Sequence, residues 1–241
     1  MTDLRPVAED FSSALAIVAH PDDLEYGAAS AIARWTAQGK QISYLLVTHG
    51  EAGIDAIPPQ VCGPLRMQEE ITGAALVGVH TVDFLDYPDG VVCYDLNLRR
   101  DIAAAVRKAC PDVVITINHH DQFGPGRYNQ ADHIAVGRAV LDGTRDAANR
   151  WVFPELVSDQ GLAPWKAQRI LVSGSPQSNA FVDVTASFDA GVASLAAHQQ
   201  YLAGLGDHAM GDPRIFLEQI ARSTGERVGV QLAVSFEVVE L

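Results

Sequence analysis

The sequence predicts an α/β fold, a mostly parallel sheet flanked by helices, and three observations carry that prediction. Apolar runs of strand length alternate with amphipathic segments of helix length through the first 150 residues. Such alternation implies right-handed crossovers and a sheet covered on both faces. Gly39, Gly78 and Pro111 stand where the helices should end. Two of the most His/Asp-rich spots, His20-Pro21-Asp22-Asp23 and Asn118-His119-His120-Asp121, follow the first and fourth strand runs. In a doubly wound sheet the ligand crevice opens beyond the carboxyl ends of those two strands.

Strands are expected at about 15–20, 41–48, 81–86 and 113–118, and helices at about 24–38, 64–79, 95–109 and 131–148. The first strand rests on the apolar run Leu15 to Val18, and the first helical pattern begins near Leu24, so His20, Asp22 and Asp23 fall at a strand-to-helix turn. A carboxylate in a first helical turn is favoured as the anion by unpaired N–H groups. From Trp151 the pattern changes: Arg169 to Ser173 reads as a fifth strand, Phe188 to Leu205 as a helix, Gly206 to Pro213 as a turn-rich loop and Arg227 to Glu240 as a C-terminal strand or two. The expectation is one domain over 1–241, with a core at about 12–205 and a small C-terminal β-containing extension at about 227–240.

A length of 241 residues with 48% hydrophobic and 20% charged residues suits a globular protein with its own core. The formal net charge of −13 argues against nucleic acid and anionic membranes as partners. Cys62, Cys93 and Cys110 are spaced irregularly, which fits reduced thiols in a cytoplasmic protein better than a disulfide framework. Neither a signal peptide nor a membrane-spanning run is read, and the apolar content permits a homo-oligomer without requiring one.

His20 and Asp23 are three residues apart, close enough to share one side of a turn, and imidazole with carboxylate suits zinc or a similar divalent ion. Asp132-His133, at the start of the helix after the fourth strand, offers a third ligand. A His-Asp-His set with an open position is catalytic in character, because structural zinc sites close with four protein ligands. Asp22 would then be free to act as general base on metal-bound water. The same aspartates also suit ordinary helix capping, and His119, His120 and Asp121 also suit a solvated loop. The first strand is followed by His-Pro-Asp-Asp rather than a glycine-rich phosphate cradle, which weighs against a nucleotide.

The strings IVAHPDDLEYG at 17–27, LVTHGEAG at 46–53, LRMQEE at 65–70, NQADH at 129–133 and AAHQQ at 196–200 together resemble the PIG-L/LmbE-like family of zinc-dependent N-deacetylases. The resemblance implies a Rossmann-like fold, zinc held by His20, Asp23 and His133, Asp22 as general base, Arg66 near the substrate and Tyr128 assisting the oxyanion. On spacing alone Arg66 also suits a surface ion pair with Glu69 or Glu70. One position departs from the family: Gln130 stands where a histidine usually serves as general acid or electrostatic stabiliser. Glutamine donates a hydrogen bond but delivers no proton at neutral pH. Asp22 acting as both base and acid, or His120 or His198 standing in, would restore the missing proton. The expected activity is removal of an acetyl or other acyl group from the nitrogen of an amino sugar or similar small conjugate. A noncatalytic metal- or sugar-binding protein of the same fold is the alternative that Gln130 suggests.

Overall fold

A computed structural model describes residues 4–241. The chain runs through β1 (Arg5–Pro6), β2 (Ser13–Val18), α1 (Ala29–Ala37), β3 (Gln41–Leu46), α2 (Pro59–Leu76), β4 (Val82–Phe84), α3 (Leu96–Ala109) and β5 (Val113–Ile117). A hairpin of β6 (Gln122–Gly124) and β7 (Arg127–Tyr128) precedes α4 (Ala131–Ala147) and the single turn α5 (Glu155–Ser158). The remainder is β8 (Arg169–Ser173), β9 (Ala180–Asp183), α6 (Phe188–Ala196), α7 (Gln199–Gly204), α8 (Pro213–Val228) and β10 (Ala233–Glu240).

Eight strands form one sheet in the order β1-β9-β10-β8-β5-β2-β3-β4. Its pairs are parallel except the two that β10 makes, with β8 and β9. The chain passes from β2 to β3 and β4 on one side, then returns to β5 on the other, so the order reverses between β2 and β5. The crevice that such a reversal creates opens beyond their carboxyl ends.

Strand β2 shows why the sheet is covered twice. Its side chains alternate between faces: Ala14, Ala16 and Val18 join a core with α1, α6 and α8, while Leu15 and Ile17 join a second core with α3 and α4. At the opposite end Asp112 ties β2 to β5. Its carboxylate accepts the N–H groups of Ser12 at 2.8 Å and Ser13 at 3.0 Å, and its own N–H donates to Ser13 Oγ at 3.1 Å.

The α/β class and the mostly parallel sheet agree with the expectation, and several element bounds differ from it. Helix α1 begins at Ala29 rather than near 24, because Asp22 has a left-handed φ of +96° and the chain from Pro21 to Ala28 runs in turns. Asp22 and Asp23 are therefore not in a helical first turn. The expected helix at 188–205 is two helices broken at His198, whose ring is turned inward. The long helix α8 was not expected, although Asp212 caps it by accepting the Ile215 N–H, Pro213 opens it and Gly229 closes it at φ +77°. The C-terminal strand β10 is no appendage, since it lies inside the main sheet between β8 and β9.

Hydrogen bonds from Ser12 and Ser13 hold the Asp112 carboxyl below the ordinary aspartate value of 3.8. Its contribution to stability is therefore complete above the unfolded value and is lost as pH falls through the lower folded value. Urea unfolding at stepped pH checks this: Asp112→Asn should be less stable than the parent at pH 7, and the gap should narrow as pH drops below about 4.

Candidate metal centre and active site

Beyond the end of β2, a turn presents His20 and Asp23 to the same point that His133 reaches from the first turn of α4. All three are buried. His20 Nδ1 lies 3.2 Å from His133 Nε2, and His133 Nε2 lies 3.0 Å from Asp23 Oδ1. The remaining edge, His20 Nδ1 to Asp23 Oδ2, is 3.7 Å.

Hydrogen bonding assigns the tautomers of both rings. His20 Nε2 faces the carboxylates of Asp89 at 3.0 Å and Asp132 at 3.3 Å, so it carries the proton and leaves a lone pair on Nδ1. His133 Nδ1 faces Asn129 Oδ1 at 3.0 Å, which leaves the lone pair on Nε2. With both rings neutral, two ring lone pairs and a carboxylate oxygen thus point at one spot, an arrangement that repels itself unless a proton or a metal cation sits there. A tetrahedral ion with bonds of about 2.0–2.1 Å separates its donors by about 3.4 Å, close to the spacings seen. Asp22, Asp23, Asp89 and Asp132 outnumber the cationic side chains around the spot, and a divalent cation offsets that excess. The donor set fits a resident metal ion.

The supporting groups are themselves held. Asp23 Oδ2 accepts the N–H groups of Ala19 at 3.0 Å and His20 at 2.9 Å, and Asp132 accepts those of Gly90 at 2.7 Å and Val92 at 3.1 Å. Asn129 donates to the carbonyls of Asn118 at 2.8 Å and His120 at 3.0 Å, fixing the approach to α4. Burial would raise the Asp23 pKa, but His133 and His20 hold it far below the usual carboxylate range. Burial would lower the His20 pKa, and Asp23, with the hydrogen bonds of Asp132 and Asp89, raises it well above the ordinary value.

Asp22 is next to the triad but not part of it. Its carboxylate meets the Arg66 guanidinium at 3.0 Å, and burial lifts its pKa to about 6 against the pull of Arg66. Arg66 is buried, also donates to the Pro21 carbonyl and stacks over the Tyr201 ring at 4.3 Å. The surface pair with Glu69 or Glu70 is therefore not formed. Gly53 leaves room for it, since a Cβ there would lie 2.1 Å from Arg66 Nη1 and push the guanidinium away. The left-handed backbone of Asp22 costs about 1–3 kcal/mol, strain of the kind that collects at working sites.

A cavity of about 570 Å³ opens over these groups and is lined by His20, Asp22, Asp23, Arg66, Asp89 and His133, with Arg127 and Gln130 also in its lining. A larger groove of about 940 Å³ lies at the other end of the strands, between β3, β4 and α3, away from the clustered donors.

Three residues expected at the site are not brought to it. Tyr128 is 76% exposed, because neighbouring strand residues face opposite ways and Arg127 is the one that lines the cavity. His120 is drawn 2.8 Å from Glu237 of β10 and stacks on His119, outside the cavity lining. His198 is fully buried beneath Glu70, with burial and Arg66 driving its pKa down to about 3, so it neither touches a ligand nor supplies a proton. Asp89, Asn129, Arg127 and Tyr201 escaped the sequence reading. Asp89 alone left a signal, the Tyr87-Pro88-Asp89-Gly90 turn directly after a strand.

The family model described as PIG-L: GlcNAc-PI de-N-acetylase matches residues 15–143. The chain is 26% identical over 196 residues to the diacetylchitobiose deacetylase of Thermococcus kodakarensis, covering 79% of this chain and 70% of that one. It is 27% identical over 191 residues to the 1D-myo-inositol 2-acetamido-2-deoxy-alpha-D-glucopyranoside deacetylase of Thermobifida fusca, covering 68% of this chain but 62% of that relative, less than two thirds of its length. In fold it is similar to the N,N'-diacetylchitobiose deacetylase of Pyrococcus horikoshii, with a TM-score of 0.86, 24% identity, and coverage of 96% of this chain and 85% of that one.

Asp132→Asn should weaken metal affinity about 10–100-fold by loosening the His20 ring, and His20→Ala should lose the ion altogether. Competition with a chromophoric chelator, read beside metal content, measures both.

Proposed function

The chain belongs to the PIG-L de-N-acetylase family, and from that membership and the convergent triad we propose that it is a metal-dependent N-deacetylase acting on the acetamido group of an amino sugar or similar small conjugate. The observation that carries the reading is the buried Asp22 carboxylate standing beside three metal-ligating groups without joining them. A binding protein without turnover has no use for a strained, buried carboxylate at that place, so the reading as a noncatalytic metal- or sugar-binding protein is set aside.

His20, Asp23 and His133 would hold the ion, with zinc the natural choice for two imidazoles and a carboxylate. Bound there, it supplies a Lewis acid for the acyl oxygen and acidifies water. Asp22 takes a proton from the attacking water, and a carboxyl poised near 6 suits a base working near neutrality. Arg66 keeps that carboxylate oriented at 3.0 Å and limits its rotation. Gln130 donates from its amide to the developing oxyanion, and Arg127 lines the same cavity. With no histidine at position 130, Asp22 returns its proton to the leaving amine.

The substrate class follows the names of the relatives, which are deacetylases of diacetylchitobiose and of a 2-acetamido-2-deoxy-glucopyranoside. No described helix is long and apolar enough to cross a membrane. The three cysteines are unpaired, which supports a reducing, cytoplasmic setting.

Acetate release from N,N'-diacetylchitobiose and a panel of N-acetylglucosamine conjugates tests the proposal. Asp22→Asn should retain its metal and lose about 10²–10⁴ of kcat. Absence of acetate from metal-loaded parent protein across the panel, or an Asp22→Asn variant as fast as the parent, would overturn it.

A further inference from the structure

Beneath Asp22 lies a second cluster of titratable side chains with no part in the chemistry above. Glu25, Glu70 and His198 are each at most 2% exposed, and they come from three different places: the turn after Asp23, the helix α2 and the break between α6 and α7. Glu70 Oε2 accepts the backbone N–H of Asp22 at 3.0 Å. Glu25 Oε1 accepts the Ser194 hydroxyl at 2.9 Å. Glu25 Oε2, Glu70 Oε1 and both ring nitrogens of His198 have no hydrogen-bond partner.

His198 Nε2 stands 3.7 Å from Glu70 Oε2 and 3.9 Å from Glu25 Oε2, too far for a hydrogen bond to either. Of the three, only Glu25 lines the cavity; Glu70 and His198 do not reach it.

What the cluster does touch is the backbone of Asp22. That residue is held at φ +96°, where a side chain other than glycine is disfavoured, and two hydrogen bonds fix its frame. Its N–H donates to Glu70, and its carbonyl accepts the Tyr26 N–H at 3.1 Å. The direction of the Cα–Cβ bond, and with it the aim of the carboxylate at Arg66 and the cavity, follows from that frame. Glu70 in turn is wedged in place by His198, which approaches α2 so closely that a Cβ on Gly73 would lie 3.2 Å from its Nε2.

We propose that Glu70 is a positioning residue: backed by His198, its Oε2 pins the left-handed Asp22 turn and thereby sets the carboxylate that removes the proton from water. The proposal rests on Asp22 as the general base. It requires an acceptor at Glu70 Oε2 and not a charge.

The test compares Glu70→Ala, Glu70→Leu, which fills the lost volume should the alanine variant fail to accumulate folded, and Glu70→Gln, which keeps an acceptor. Relative to metal-loaded parent protein on diacetylchitobiose, Glu70→Ala or Glu70→Leu should lose about 10–100-fold in kcat, the scale of a small misplacement of a reacting group. KM should stay within about twofold and metal content unchanged. Glu70→Gln should recover most of the lost kcat. A purely structural role would lower the melting temperature but leave kcat per metal-loaded site intact, and that result overturns the proposal, as does Glu70→Gln behaving like Glu70→Ala. A crystal structure of whichever acceptorless variant folds gives a readout independent of hydrolysis. Asp22 relaxed to negative φ and parted from Arg66 supports the proposal even if diacetylchitobiose is not a substrate; Asp22 unmoved overturns it.

Discussion

Two imidazole nitrogens 3.2 Å apart, each left as an acceptor in the neutral ring by what lies behind it, cannot rest facing one another without a proton or a metal ion between them. That repulsive pairing is the constraint on which the remainder of the site depends. It requires β2 and β5 to be neighbours, so that the turn after one and the helix following the other meet. It also requires Asp132 and Asn129 on the outer sides of the rings, because each decides which nitrogen carries hydrogen. The protein meets its polar demand with backbone N–H groups from Ala19, His20, Gly90 and Val92, donors that are rigid once the sheet has formed.

Around this point a large amount of charge is taken out of water. Asp22, Asp23, Glu25, Glu70 and Asp132 are all buried, and among the described residues that line the cavity Arg66 is the one buried guanidinium. Isolated, such groups would be very costly to bury. They are tolerated because nearly every carboxylate either accepts backbone N–H groups or faces an imidazole or guanidinium. The ordering of pKa values follows: Asp23, between two imidazoles, is driven down, while Asp22, given one guanidinium against its burial, is left near 6. Two adjacent aspartates thereby acquire different chemistry from different surroundings, one as ligand and one as base.

The parts legible in the sequence were those written in local pattern. Strand and helix alternation is a periodicity signal, and it located β2, β3, β5, α3 and α4 to within a few residues. Residue types beyond the strand ends singled out His20, Asp23 and the Asp132-His133 pair, and the family resemblance implied the ligand set. What escaped had causes beyond local pattern. A histidine at 198 looks the same in sequence whether it faces a cavity or a core, and only packing decides. Tyr128 was drawn outward by the two-residue alternation of a hairpin that no strong strand pattern announced. The start of α1 was misjudged because a left-handed aspartate, held by a glutamate 48 residues away, leaves no trace in neighbouring residues. The missed α8 is different: its Asp-Pro start and glycine stop were present and went unread.

Asp132 serves two structures with one carboxyl group. It faces the His20 ring and also closes the 89–92 loop by accepting from Gly90 and Val92. Surface loops ordinarily drift in length and composition at little cost. This one is tethered to the group that sets the His20 tautomer, so an insertion of even one residue between Asp89 and Val92 would be felt as a change in metal chemistry. The 150–166 segment carries no such tether, since none of its backbone groups hydrogen-bonds to the triad.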